Sequence, residues 1–179
     1  MALDTYVGFV RAVMVGRDGL HRSVLLDCVE AAGGRDPVSH LTTGNVSFRA
    51  ESGAAEGVVH ELEAGVSSVV GRTTPVILRS LDHLAALVER APFDGAPHDA
   101  PRARLVTMAQ HGIGSLELPI VSPRGDYHVF AHEGGDVFSI TIDTGGRVQD
   151  PGGLIERAVG APVTTRAWGT IERIVAKLS

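Results

Sequence analysis

The sequence predicts an α+β fold in two ferredoxin-like halves, with mixed or antiparallel sheets and helices packed on one face. Three observations carry this. The first half alternates β-branched apolar runs with amphipathic stripes in the order β-α-β-β-α-β, followed by one more helix. The stretch FDGAPHDAPRA (Phe93 to Ala103), rich in alanine and proline, then breaks the rhythm. Beyond it, strand-like and helix-like segments alternate again. The expected division is residues 1–93, a linker over 94–103, and a second α+β half over 104–179.

Taken in order, TYVGFVRAVMV (Thr5 to Val15) reads as a strand, ended by the turn GRDG. Leu25, Cys28, Val29 and Ala32 recur at helical spacing and stop at Gly33-Gly34. SHL and VSFRA flank TTGN as two short strands around a tight Gly-Asn turn. Val58, Leu62, Val66 and Val69 form a second amphipathic stripe, and PVILRS a further strand. Ser80 is placed to cap a helix carrying Leu81, Leu84 and Val88, which Pro92 prevents from continuing. In the second half RLVTMA is a strand, and DYHVFAH and DVFSITID make a hairpin around Glu133-Gly134-Gly135. Gly153 to Val159 reads as a short helix. A closing helix aligns Trp168, Ile171, Val175 and Leu178.

Aromatics are only 4% of the chain, so aliphatic side chains must fill the interior. No apolar run approaches the roughly 20 residues of a membrane helix, and no basic region precedes the apolar start, so a cytoplasmic location is expected. A single cysteine, Cys28, excludes an internal disulfide and a multi-cysteine metal site. The net charge of −5 argues against a general polyanion binder. Lys177 is the single lysine among sixteen basic residues, an arginine bias that suits planar carboxylate or phosphate recognition.

Enzyme motifs are sparse. DTGG at Asp143 to Gly146 has the Asp-Thr-Gly of an aspartic protease, but that chemistry needs two carboxylates sharing a proton and the chain has one such triplet. His128 and His132 lie four apart on a strand-like segment, about 13 Å from each other and too far to share one ion. No GxSxG, Walker loop or GxGxxG occurs, and GIGS at Gly112 to Ser115 reads as a turn. No metal or cofactor is therefore expected. Arginines on strands are more suggestive: the spacing puts Arg11 with Val7 and Phe9, Arg49 with Asn45 and Ser47, and Arg79 with Ile77. In VTTRAWGTIERI, Thr165 is expected as the N-cap of the last helix and Arg166 in its first turn, where a cation has reason to sit only beside an anion.

TTRAWGT is similar to the Thr-Thr-Arg-Asn-Trp-Asn-Thr signature that closes members of the bacterial domain-of-unknown-function 1697 family. YVGFVRAVMVG resembles that family's Leu-Leu-Arg-Gly-Ile-Asn-Val-Gly opening. TGNVSF is similar to its Ser-Gly-Asn-Val-Val-Phe, PVILRS to its Val-Val-Arg-Ser strand, and APF to its Asn-Pro-Phe. The positions that match are Arg11, Gly44, Asn45, Val46, Phe48, Arg79, Ser80, Pro92, Phe93, Thr164, Thr165, Arg166, Trp168 and Thr170. Two departures stand out: Ala12-Val13-Met14 replaces the family's Gly-x-Asn, and Gly145-Gly146-Arg147 is what remains of its Gly-x-Gly-Arg-Ser-Lys. The segment around Gly112 to Pro123 is also shorter than the helix usual there. The resemblance implies an α+β fold with ferredoxin-like halves and brings no established activity.

These residues support a binding module for a small anionic ligand or a protein partner. Arg11, Asn45 and Arg166 would do the binding, assisted by Thr165 and the last helix's N-terminus. The alternatives are nucleic-acid binding on an open sheet face, or an enzyme using Asp143 or Asp126 as a carboxylate acid or base.

Overall fold

The side chains from Val7 to Val10 are buried on both faces of strand β1 (Asp4–Val10), in a computed structural model that describes residues 2–114 and 116–179. Ser115, in the GIGS segment, lies outside the described residues. The chain divides into two units, Met1–Leu84 and Ala85–Ser179.

In the first unit, β1 is followed by α1 (Arg22–Ala31), β2 (Arg35–His40), β3 (Asn45–Ala50), α2 (Ala55–Val70) and β4 (Val76–Ser80). The strands lie in the order β2-β3-β1-β4 and every neighbouring pair is antiparallel. This is the ferredoxin-like arrangement. Helices α1 and α2 cover one face, where Leu25, Val29, Leu62 and Val66 pack with Val10, Val46 and Phe48. Each such side chain contributes about 1.5–3 kcal/mol when fully buried. Val69, expected on the inner stripe of α2, is instead 37% exposed. Helix α3 (Leu81–Glu89) begins as the sequence predicts, with the His83 N–H donating to Ser80 Oγ at 3.2 Å.

Strand β1 ends at Val10 rather than running on to Val15, because its end is tied into two turns. The Val10 N–H donates to Gly44 O at 2.8 Å and the Arg11 N–H to Pro75 O at 2.9 Å. Ala12 then takes φ +54°, a left-handed conformation that reverses the chain. Arg11 therefore sits just past the strand. The resembling family carries glycine at position 12, the residue best suited to that φ. The β2–β3 connection is four residues long, Leu41 to Gly44, and Asn45 opens β3 instead of forming the turn. Gly44 has φ +70°, and a methyl group there would overlap Val13 Cγ2 and come 3.1 Å from Val10 Cβ.

The second unit carries β5 (Ala103–Ala109), β6 (Ile120–Val121), β7 (Tyr127–Glu133), β8 (Asp136–Thr141), α4 (Gly152–Val159), β9 (Val163–Ala167) and α5 (Trp168–Leu178). Its sheet is antiparallel throughout, in the order β6-β7-β8-β5-β9. Leaving aside the two-residue β6, the order is again second-third-first-fourth, with residues 110–119 in place of a first helix. The helices do not share one face here. Ile155 of α4 packs with Val129, Val137 and Val163, whereas Trp168 of α5 meets Phe138, with ring centroids 5.9 Å apart. Val137 and Phe138 are consecutive on β8 and point to opposite sides, so α4 and α5 cover opposite faces. Phe93 packs within this unit, against Phe138 and Trp168 at 5.8 and 5.3 Å.

The largest departure from expectation is at VTTRA. It is strand β9, not the lead-in to a helix, so Thr165 is not an N-cap and Arg166 is not in a first turn. Helix α5 starts at Trp168, with Ala167 in the cap position and no side-chain cap bond. Val163, Thr164 and Thr165 are β-branched and stiff at χ1, which favours the pleat. They pair with β5 in the register Thr107↔Thr165 and Val106↔Arg166, and the hydroxyls of Thr107 and Thr165 are 2.9 Å apart.

Two substitutions at the end of β1 are expected to act in opposite directions in urea denaturation. Ala12→Gly relieves the left-handed backbone and stabilises by about 0.5–1 kcal/mol. Gly44→Ala meets both strain and overlap and costs about 2 kcal/mol or more.

Candidate functional site

In the second unit, two short turns present arginines beside a cleft. The first is Ser-Pro-Arg-Gly, residues 122–125, with proline second and glycine fourth as a type I turn prefers. Its Gly125 N–H donates to Ser122 O at 2.9 Å, leaving Arg124 exposed at the tip. The second turn begins at Asp143, whose Oδ1 accepts the Gly145 N–H at 3.0 Å, an Asx turn. Gly146 follows at φ +121°, a conformation other residues rarely adopt, and then the exposed Arg147. The Arg124 guanidinium lies against this second turn: Nη2 is 3.3 Å from where a Gly146 side chain would begin.

Arg102, Thr141, Gly146, Arg147, Gln149 and Asp150 line a cleft of about 300 Å³. Its lining acid, Asp150, is already engaged, as is the neighbouring Asp143. Asp143 stands 3.8 Å from Arg102, and Asp150 Oδ1 accepts the Gly152 N–H at 2.6 Å at the start of α4. Arg124 and Arg147 make no ion pair among the described residues.

Beneath both turns lies Asp126, fully buried. Ser122 Oγ donates to its Oδ1 at 2.5 Å and the Gln149 N–H to its Oδ2 at 3.1 Å. The Ser122 hydroxyl bond holds the carboxyl below its ordinary value of 3.8, with the Gln149 amide and the Arg124 charge adding to the effect against the cost of burial. A general acid needs its pKa raised, and a general base needs reach to substrate. Asp126 has neither, and Asp143 is an exposed turn residue.

Two other concavities are less suited to an anion. A cleft of about 490 Å³ at the start of α5 sets Arg102 and Arg104 against Asp99 and Glu172. In the first unit a groove of about 420 Å³ between α1 and α2 holds Cys28 beside Asp27 and Glu61. Burial, with the Asp27 charge, raises the Cys28 thiol above its ordinary 9.0, which favours the protonated form. Among the described residues, no group of three His, Cys, Asp or Glu side chains could hold a metal ion, and no helix is long and apolar enough to cross a membrane.

Residues 3–138 match a family described as protein of unknown function (DUF1697). The chain belongs to that family. Among curated proteins none matches. Among solved structures the DUF1697 chain is similar to a conserved bacterial protein, SP0830 from Streptococcus pneumoniae, with a TM-score of 0.66 and 17% identity over 99% of each chain. At that identity the likeness establishes the α+β fold and nothing of activity. The matched range stops short of TTRAWGT and of Arg147.

The motif residues this chain shares with DUF1697 fall in both units. Asn45 is fully buried, and its amide donates to His40 O and Thr43 Oγ1, both at 3.0 Å, bracing the β2–β3 connection. Arg11 is half-buried beyond β1 in the same unit. Thr165 and Arg166 are consecutive on β9 and face opposite sides of the second sheet, so they cannot line one pocket. Arg166 is 8% exposed and donates to Thr164 Oγ1 at 2.7 Å and Thr165 O at 2.9 Å. Burial pushes its pKa down to about 10. The open-face reading for nucleic acid also loses its stacking platform, since Phe9 is 0% and Phe48 1% exposed. Sequence reasoning missed Arg102 and Arg124, for which the turn signal SPRG was the available clue. It noted Arg147 only as the remnant of a longer motif.

The lowered Asp126 pKa makes its charge a source of stability that is complete above the ordinary value of 3.8 and is lost as pH falls through the lower folded value. The gap in urea midpoint between wild type and Asp126→Asn should therefore be wide at about pH 6 and narrow at about pH 3. A gap independent of pH would show that the ionised carboxylate contributes nothing.

Proposed function

We propose that this protein is a binding module for a small anionic ligand, held in the cleft lined by Arg102, Gly146, Arg147 and Gln149, with Arg124 against its Gly146 edge. The observation that carries the reading is that Arg147 at the cleft and Arg124 against Gly146 make no ion pair among the described residues, while the lining acid Asp150 accepts the Gly152 N–H. Guanidinium groups are planar donors matched to carboxylate and phosphate oxygens. A volume of about 300 Å³ accommodates a small ligand rather than a polymer. Arg102 stands at the same cleft and supplies a third cation once an incoming anion competes with Asp143.

Inorganic phosphate is the direct probe. At 100 times its dissociation constant it should stabilise the protein by about 2.7 kcal/mol, a clear rise in melting temperature. The double substitution Arg124→Ala with Arg147→Ala should abolish that rise and leave the unliganded melting temperature within the small range usual for surface changes. An equal rise in wild type and variant, or none in either, would overturn the reading.

A further inference from the structure

Resting on that anion-binding reading, we infer that Asp126 is a positioning residue of the site: one buried carboxylate fastens both arginine-bearing turns and so sets where Arg124 stands relative to Arg147 at the cleft that a phosphate-sized anion enters. The two turns come from separate parts of the chain, and no strand pairing joins Arg124 to Arg147. Asp126 does the joining. Through Oδ1 it takes the Ser122 hydroxyl at 2.5 Å, and that same oxygen of Ser122 accepts the Asp126 and Tyr127 N–H groups at 2.9 and 3.3 Å, closing the Arg124 turn. Through Oδ2 it takes the Gln149 N–H at 3.1 Å, two residues beyond Arg147. Its own carbonyl accepts the Ile142 N–H at 2.9 Å, at the other end of the second turn. Both ends of the Arg147 turn and the whole of the Arg124 turn therefore hang on residue 126.

Charge alone gives no reason for this arrangement. A carboxylate beneath a cationic cleft repels an anion, and Arg124 is close enough to Asp126 to stabilise its ionised form. Nor does Asp126 reach a ligand, being fully buried with both oxygens occupied. What it supplies is geometry, and the sign of its effect on binding separates the two contributions. Removing the negative charge by Asp126→Asn tightens anion binding if electrostatics alone matters. It weakens binding if the turns lose their spacing, because asparagine has one accepting oxygen and either the Ser122 hydroxyl or the Gln149 N–H loses its acceptor.

The test is calorimetric titration of inorganic phosphate into wild type, Arg147→Ala, Asp126→Asn and Ser122→Ala at fixed pH and ionic strength. Exchange of the Gln149 amide hydrogen is followed in parallel. Asp126→Asn should bind phosphate about tenfold or more weaker than wild type, as loss of a supporting hydrogen bond behind a ligand site commonly does, and its Gln149 amide should exchange faster. Should Asp126→Asn fail to fold, Ser122→Ala removes one of the two carboxylate bonds and is read the same way. Wild type that does not bind phosphate overturns the anion-binding reading and this inference with it. Binding lost in Arg147→Ala but equal or tighter in Asp126→Asn or Ser122→Ala overturns the positioning role alone.

Discussion

Strand β1 is hydrogen-bonded along both edges, to β3 and to β4, and from Val7 onward both of its faces are buried. In the second unit β5 occupies the same place between β8 and β9. A strand with no free edge and no wet face is fixed in register, because a slip of one residue would exchange the two faces completely. The other elements take their places from that constraint. Helices α1 and α2 have one apolar face to cover, and α4 and α5 have two, since β8 carries Val137 and Phe138 to opposite sides. The aromatic group of Phe93, Phe138 and Trp168 follows from the second arrangement.

Chemistry is thereby pushed to the turns. Inside the sheets polar residues are committed to structure: Asn45 to the β2–β3 connection, Thr165 to Thr107, and the Arg166 guanidinium to Thr164 and its own strand. The second unit's turns are different, because residues 122–125 and 143–150 adjoin the paired ends of β7 and β8 and are tied to each other by the side chain and carbonyl of Asp126. Their arginines point outward from a rigid base, which is how a loop can present charge at a fixed spacing.

What was legible in the sequence was whatever depends on periodicity. The alternating runs of β1, β3, β4 and the β7–β8 hairpin, and the stripes of α1 and α2, lie close to where spacing puts them. Ser80 caps α3 because the apolar stripe follows directly behind it. The reading failed where two local preferences compete. Thr165 followed by an apolar stripe has the form of a cap, but two consecutive threonines after valine also suit a pleat, and pairing with β5 decides the matter. The cleft was hidden for another reason. Arg102, Arg124 and Arg147 are about twenty residues apart in the chain, and nothing local marks them as neighbours. The β7–β8 pairing and the bonds of Asp126 bring two of their turns together, and a carboxylate's partners cannot be read from its sequence context. The motif residues Arg11, Asn45 and Arg166 stood out because they sit in recognisable strings.

The outermost strand of the second sheet, β6, is two residues long, and Val121 within it is 51% exposed. A long apolar border strand offers a row of free amides and carbonyls on which another chain can crystallise its own backbone, the usual first step toward fibrous aggregates. Here the row that β6 itself offers ends almost as soon as it starts, with Pro119 before it and Pro123 shortly after, and β6 covers only His128 and Val129 of β7. The protein thus leaves that flank ragged, and a ragged flank is a poor template for growth at high concentration.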